Sequence, residues 1–333
     1  MLPLSWAQGL GRRTHASARS LSLKAVSVII PAHNAAATIA GTLASLRSEA
    51  AIIGEVLLVD DASSDGTAAV AEEAASRLAL PLRVIASNCR DAGGARNLAL
   101  AQADCPWIYM IDADDLHLEG GLRSLLSRSD AQPRAEMVVG AFRRRTKGEH
   151  HQFKLPYGYT VTGIANASAY LEGQVRSIAV GSALVSRRAI GETRFPTALA
   201  YDEDTLFWAR LMCRAPLAVI TQPVMTYFVS AERSDDRFTI KPAQRFLAWR
   251  HALRQLTDCG IAKSTLKTRE GLVALKIARV HYARGDFDTA ARFLAVAKAA
   301  PKVPSDIWRC MRYQFKLAVR RRFSISHALL QSA

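Results

Sequence analysis

The sequence predicts an α/β protein: a doubly wound, mostly parallel sheet followed by a helical C-terminal appendage. Three observations lead there. Short apolar runs alternate with helix-period segments four times between residues 25 and 111, the pattern of strands joined by crossover helices. Each run ends in polar residues, where an open parallel sheet places its ligands. Beyond residue 241 the period is helical only.

The first strand is expected over 25–30, a continuous apolar run stopped by Pro31. A helix follows over 38–46, with Ile39, Leu43 and Leu46 at helical spacing. The second strand, 55–59, runs into Asp60 and Asp61, then a Ser63, Ser64, Asp65, Gly66 turn and an alanine-rich helix over 68–78. A third strand covers 82–86, and Gly93 and Gly94 open a helix that continues through Ala101. The fourth strand, 107–111, ends at Asp112. The middle of the chain is less regular, with strands near 137–142, 179–185 and 217–220 and a basic segment over 143–147. Residues 281–290 read as the turn of one helical hairpin, too few for a solenoid. The expected organisation is a lead-in over 1–24, a catalytic domain over 25–240 and a helical region over 241–333.

A hydrophobic share of 50% allows a substantial core. No apolar run reaches the ~18 residues of a membrane-spanning helix. The formal charge of +15 calls for an anionic partner, and nucleic acid, a membrane surface and phosphorylated small molecules all satisfy it. Residues 1–24 contain no acid and no apolar core of secretory length; they are expected to be unstructured rather than a transit peptide. Five scattered cysteines without Cys/His spacing for zinc are read as reduced thiols of a cytosolic protein.

Asp112, Ala113, Asp114 and Asp115 follow an apolar strand. On extended backbone, carboxylates two apart project to one side, so Asp112 and Asp114 can approach one cation. Hard cations such as Mg²⁺ and Mn²⁺ take carboxylates together with substrate phosphates. The competing reading is a solvated acidic loop or a helix N-cap. Asp60 or Asp61 can accept hydrogen bonds from a base or ribose, and turn formation explains the same residues. Arg96, early in its helix, suits either a phosphate or a surface salt bridge. Glu203 and Asp204 open an apolar helix, where acids favour the N-terminus and a carboxylate can also act as a general base. No GxGxxG or Walker loop is present.

Taken in order, several blocks resemble glycosyltransferase family 2, the inverting enzymes with a nucleotide-binding GT-A-type fold. They are VSVIIPAHN at 26–34, LVDDASSDGT at 58–67, ARN at 95–97, MIDADD at 110–115, Glu203 with Asp204, and Tyr227 with Arg233 and Ser234. The resemblance spans roughly residues 25–235 and is nearest to bacterial exopolysaccharide enzymes of the succinoglycan type. It implies transfer of one sugar from a nucleotide-diphosphate sugar to an acceptor hydroxyl, in exopolysaccharide or other surface-glycan assembly. Pro31, Ala32, His33 and Asn34, with Asp60 or Asp61, would hold the nucleoside; Arg96 is the candidate phosphate contact. Asp112 would touch ribose or metal-bound water, and Asp114 would ligate Mn²⁺ or Mg²⁺ at the diphosphate. Asp204 would be the base, supported by Glu203, with Asp115 beside the metal ligand and Arg233 over the diphosphate. His33 stands where the family often has Tyr, and residues 88–92 depart from its pattern. The Gln-x-x-Arg-Trp motif of processive synthases is absent from 244–249.

The implied partners are a nucleotide-sugar donor and a saccharide acceptor, including a lipid-linked one, with cytoplasmic residence. Nucleic acid is not expected, because no helix-turn-helix, zinc finger or aromatic strand motif accompanies the charge. The alternative is a nucleic-acid- or sugar-nucleotide-binding protein without catalysis. Near the C-terminus Ile307, Met311, Phe315 and Ala318 share a helical stripe flanked by Arg309, Arg312, Lys316 and Arg320. The stripe is expected to pack on the core under a solvated basic face. The other reading is a peripheral helix on the inner face of the cytoplasmic membrane.

Overall fold

Strand β1 (Val26–Ala32) is buried on both faces, with Val28 and Ile30 in one core and Ile29 in another. Each such aliphatic side chain contributes roughly 1.5–3 kcal/mol on burial. The same division runs through β2 (Ile53–Asp61) and β4 (Trp107–Met110), so the sheet separates two hydrophobic layers. Continuous apolar runs are what a sheet covered on both faces requires. In a computed structural model of the chain, the described residues are 25–146, 151–160, 163–229, 237–300 and 304–331. The 1–24 lead-in and Arg233 lie outside them.

Helices α1 (Ile39–Ser45) and α2 (Thr67–Leu78) pack together on one face, while α3 (Ala92–Leu100) covers the other. β3 (Leu82–Ser87) completes a parallel quartet in the order β3-β2-β1-β4. The register sets Ala32 beside Asp60 and Asp61 beside Ser87, so three loops emerge at one level.

Beyond β4 the sheet is mixed. β5 (Leu116–His117) and α4 (Gly121–Ala131) lead to β6 (Met137–Arg145), which pairs antiparallel with β7 (His151–Lys154). α5 (Gly163–Leu171) follows, and β8 (Ala183–Ser186) inserts between β4 and β6, antiparallel to both. The chain re-enters the sheet there from its carboxyl edge, and this fixes the reversed direction. After α6 (Arg187–Ile190) and α7 (Glu203–Met212), β9 (Leu217–Phe228) pairs parallel with β6.

Four longer helices follow among the described residues: α8 (Pro242–Arg254), α9 (Lys263–Ala283), α10 (Phe287–Ala299) and α11 (Pro304–Gln331). Trp249, Leu253, Leu266 and Ile277 lie in the same core cluster as Phe207, Trp208 and Leu171, so these helices share a core with α5 and α7. At the hairpin between α9 and α10, Asp286 caps α10 at the Thr289 amide and meets His281 Nδ1 at 2.9 Å. The expectation for the last helix fails. Among its described side chains, 307–320, Cys310 and Leu317 are buried, whereas Ile307, Met311, Phe315 and Ala318 are exposed, as is Trp308. The helix carries two apolar faces, and helical periodicity cannot say which one meets the core.

Candidate active site

The carboxyl ends of β1 and β2 are locked together by side chain to backbone bonds. Asn34 Oδ1 accepts from the Ser64 amide at 2.9 Å, and Ser63 Oγ from the Asn34 amide at 2.9 Å. Asp65 Oδ2 accepts from the Ala36 amide and Thr67 Oγ1 from the Ala35 amide. Asn34 sits at φ 49°, a conformation Asn tolerates better than most residues. His33 Nδ1 donates to the Asp61 carbonyl at 2.7 Å, leaving the imidazole exposed at the rim.

The two adjacent aspartates have separate roles. Asp61 is buried, and its carboxylate accepts from the Arg90 and Asp91 amides and the Ser87 hydroxyl. Burial alone would raise its pKa; these bonds outweigh it and lower the value. Asp61 therefore orders the irregular 88–91 loop, while half-buried Asp60 takes only the Ser63 amide at 3.2 Å.

Asp112 to Asp115 form a turn closed by the Asp115 amide on the Asp112 carbonyl, not the extended backbone expected. The alternation of exposure nevertheless holds: Asp112 and Asp114 are half-exposed, Ala113 and Asp115 buried. Thr42 Oγ1 lies 2.9 Å from the carbonyls of both Ala113 and Asp115 and anchors the turn to α1. Asp115 accepts from the Phe228 amide at 2.9 Å, which ties the turn to the end of β9. Burial, then the Asp112 charge, raises its pKa to about 9.

Arg96 joins the two acidic segments. Its guanidinium donates to Asp112 Oδ1 at 2.7 Å and to Glu203 Oε1 at 3.3 Å and lies over the Phe195 ring. It is only 3% exposed, which rules out the surface salt bridge considered above. Burial works against its charge, but Asp112 and Glu203 outweigh that and raise its pKa. The position depends on close packing: a Cβ on Gly93 would fall 2.9 Å from the Pro196 carbonyl. Asn97 holds the same segment through both the amide and the carbonyl of Phe195.

At the start of α7, burial followed by Asp204 raises the pKa of Glu203 to about 7. Burial followed by Asp202 raises that of Asp204. Asp202 stands at the N-cap with φ 63° but makes no capping bond. Instead Arg269, from α9, reaches Asp202 Oδ2 at 2.5 Å and Thr205 Oγ1 at 3.5 Å. Sequence patterns do not mark Arg269; a buried basic position in a helical tail carries no local signal. Removing one partner of such a pair strands the other, so Arg269→Ala is expected to destabilise the fold by about 2 kcal/mol. Urea denaturation checks this, and adding Asp202→Asn should recover part of the loss.

The structure thus gathers Arg96, Asp112, Asp114, Asp115, Glu203 and Asp204 into one cluster, beside the loops holding Pro31, Ala32, His33, Asn34, Asp60 and Asp61. Among the described residues, no group of three or more His, Cys, Asp or Glu side chains could enclose a cation. The donor set still fits Mg²⁺ or Mn²⁺, which bind through one or two carboxylates and complete their shell with water and phosphate oxygen.

The succinoglycan biosynthesis protein ExoO of Rhizobium meliloti is 34% identical over 110 residues, 32% of this chain and 30% of that protein. The match thus spans about a third of that relative's length. The Staphylococcus aureus TarS fragment 1–349 in complex with UDP-GlcNAc shares the fold at a TM-score of 0.60 and 18% identity, covering 82% of this chain and 81% of that one. The mannosyltransferase PcManGT of Pyrobaculum calidifontis, in complex with GDP-Man and Mn²⁺, shares it at 0.56 and 20% identity, covering 92% and 82%. The profile described as Glycosyl transferase family 2 matches residues 27–193, about half of the sequence, and the chain belongs to that family.

Proposed function

We propose that the chain transfers a single sugar from a nucleoside-diphosphate sugar to an acceptor hydroxyl with inversion, in exopolysaccharide or related surface-glycan assembly. One observation carries this reading. Buried Arg96 holds Asp112, from the strand-end turn, against Glu203, the neighbour of Asp204, at the edge where an α/β sheet binds ligands.

In this reading the loops of Pro31 to Asn34 and of Asp60 receive the nucleoside. Asp114 holds a divalent cation, Mn²⁺ or Mg²⁺, whose chemistry is to neutralise charge on the departing diphosphate. Asp204 accepts the proton of the acceptor hydroxyl. The freed oxygen bonds to the anomeric carbon as the bond to the diphosphate oxygen breaks, and the electron pair leaves with the diphosphate. Glu203 and Arg96 keep Asp204 in place. The test is nucleotide release from UDP-, GDP- and dTDP-sugars with and without Mn²⁺. Metal-dependent release from one donor, reduced at least 100-fold in Asp114→Asn, is expected, in line with electrostatic contributions of roughly 10²–10³. The absence of metal-dependent nucleotide binding by calorimetry across the whole panel would overturn it.

The acceptor is proposed to be lipid-linked, with the enzyme on the cytoplasmic face of the membrane. No helix among the described residues is long and apolar enough to cross a bilayer. α11 supports a surface contact, with exposed Ile307, Trp308, Met311 and Phe315 next to Arg309, Arg312, Lys316 and Arg320. A basic helix of this kind lies in the interface of an anionic bilayer. Sedimentation with vesicles containing anionic lipid is expected to retain the protein. Trp308→Ser with Phe315→Ser should weaken retention by about 100-fold or more, the loss of two apolar groups worth roughly 1.5–3 kcal/mol each. Equal retention of both proteins would remove the helix from the interface.

A further inference from the structure

The last residues of β6 form a second charged surface beside the acidic cluster. In the parallel register with β9, Arg144 lies next to Tyr227, and Phe228 follows with its amide on Asp115. Asp115, Asp112 and Asp204 all act on Tyr227, whose pKa is raised by burial first and then by these charges. The β6 edge is therefore continuous with the site. Across the β6–β7 pair Arg144 faces Gln152, and Lys154 donates to Gln152 Oε1 at 2.9 Å.

A third cation comes from the segment after α5. Arg176 places its guanidinium 4.8 Å from the centre of the exposed Tyr157 ring, and its carbonyl accepts from Tyr159 Oη at 2.5 Å. The Arg176 amide also reaches the Tyr157 carbonyl at 3.4 Å, three residues on from Lys154, and after desolvation both Arg176 and Arg144 lower the pKa of Lys154. Among the described residues, none of the three forms an ion pair with a carboxylate. Like charges brought together repel, and a fold that holds them so is complementary to an anion. Guanidinium groups suit a phosphate or carboxylate through paired hydrogen bonds, and the Tyr157 ring adds a flat apolar face beside them.

We infer that Arg144, Lys154 and Arg176 form an acceptor subsite that binds an anionic group carried by the acceptor, with Tyr157 against the adjoining sugar. The proposed function gives the donor diphosphate to Asp114 and its cation, which leaves the cationic β6 edge beside Tyr227 to the other substrate. This rests on the transferase reading above. The anion is a phosphate or a sugar carboxylate, which share the same recognition chemistry.

Calorimetric titration of the full chain, with metal chelated, separates the sources. Inorganic pyrophosphate probes for phosphate and methyl glucuronide for a sugar acid; methyl glucoside is the neutral control. One of the two anions is expected to bind, and the one that does names the group. Its affinity should fall at least tenfold in Arg144→Gln/Arg176→Gln and in the singly substituted Lys154→Gln, but stay unchanged in Asp114→Asn. Binding no stronger than that of the neutral glucoside, an unchanged affinity in both variants, or an equal loss in Asp114→Asn would overturn the subsite. Because no transfer and no nucleotide are involved, an absence of metal-dependent nucleotide binding would sink the transferase reading without altering this result.

Discussion

Asp204→Asn is expected to lower kcat by about 10³-fold, the middle of the range for a general base and equivalent to ~4 kcal/mol of barrier. Asn keeps the shape and can still accept from the Thr205 amide, which Asp204 Oδ1 meets at 2.7 Å. Donor binding by calorimetry should therefore survive while turnover collapses. The pH profile gives a second readout. Burial and Asp202 raise the pKa of Asp204, and a base works only when deprotonated, so activity should fall on the acid side at a pH above the ordinary carboxylate range. Asp202→Asn removes that charge and frees Arg269, both of which favour ionised Asp204, so the acid limb should move to lower pH. An Asp204→Asn enzyme with near-normal turnover would assign the base elsewhere.

Arg96→Met is expected to destabilise the protein by about 4 kcal/mol, the cost of leaving buried carboxylates without their cation. Met has nearly the same reach, so the effect isolates the charge from the packing. The pH dependence distinguishes the two causes. Without Arg96, Glu203 loses the cation that opposes its upward shift, and its pKa rises further. The folded state then holds protons that the unfolded chain releases, so the variant loses most stability as pH rises past the unfolded carboxylate range and regains some as pH falls. Urea denaturation of both proteins at pH 5 and pH 8 measures this. A uniform loss at both values would mean that Arg96 acts through packing alone.

Much of the parallel half of the fold is legible in the sequence because its signals are local. Apolar runs such as 26–30, closed by Pro31, and alanine-rich helix periods need only neighbouring residues to be recognised. The acidic turn after β4 is legible for the same reason, since a strand end is itself a place in the fold. Other features rest on contacts between distant segments. That Asp61 faces inward and Asp60 outward depends on the 88–91 loop folding over the former. The direction of β8 depends on where the chain re-enters the sheet, and four residues of strand-like composition read the same in either direction.

By itself, the sequence determined the alternating elements, the order of the family blocks and the acidic residues at the strand ends, since each is written in short stretches of chain. Only the tertiary structure decided how those acids are held. Arg96 is buried against Asp112 and Glu203, Asp115 is turned to the Phe228 amide, and Arg269 reaches Asp202 from a helix in the C-terminal tail. The physical reason is common to all three. The ionisation and placement of a charged side chain follow from its burial and from the charges around it, and those are properties of packing between segments far apart in the chain.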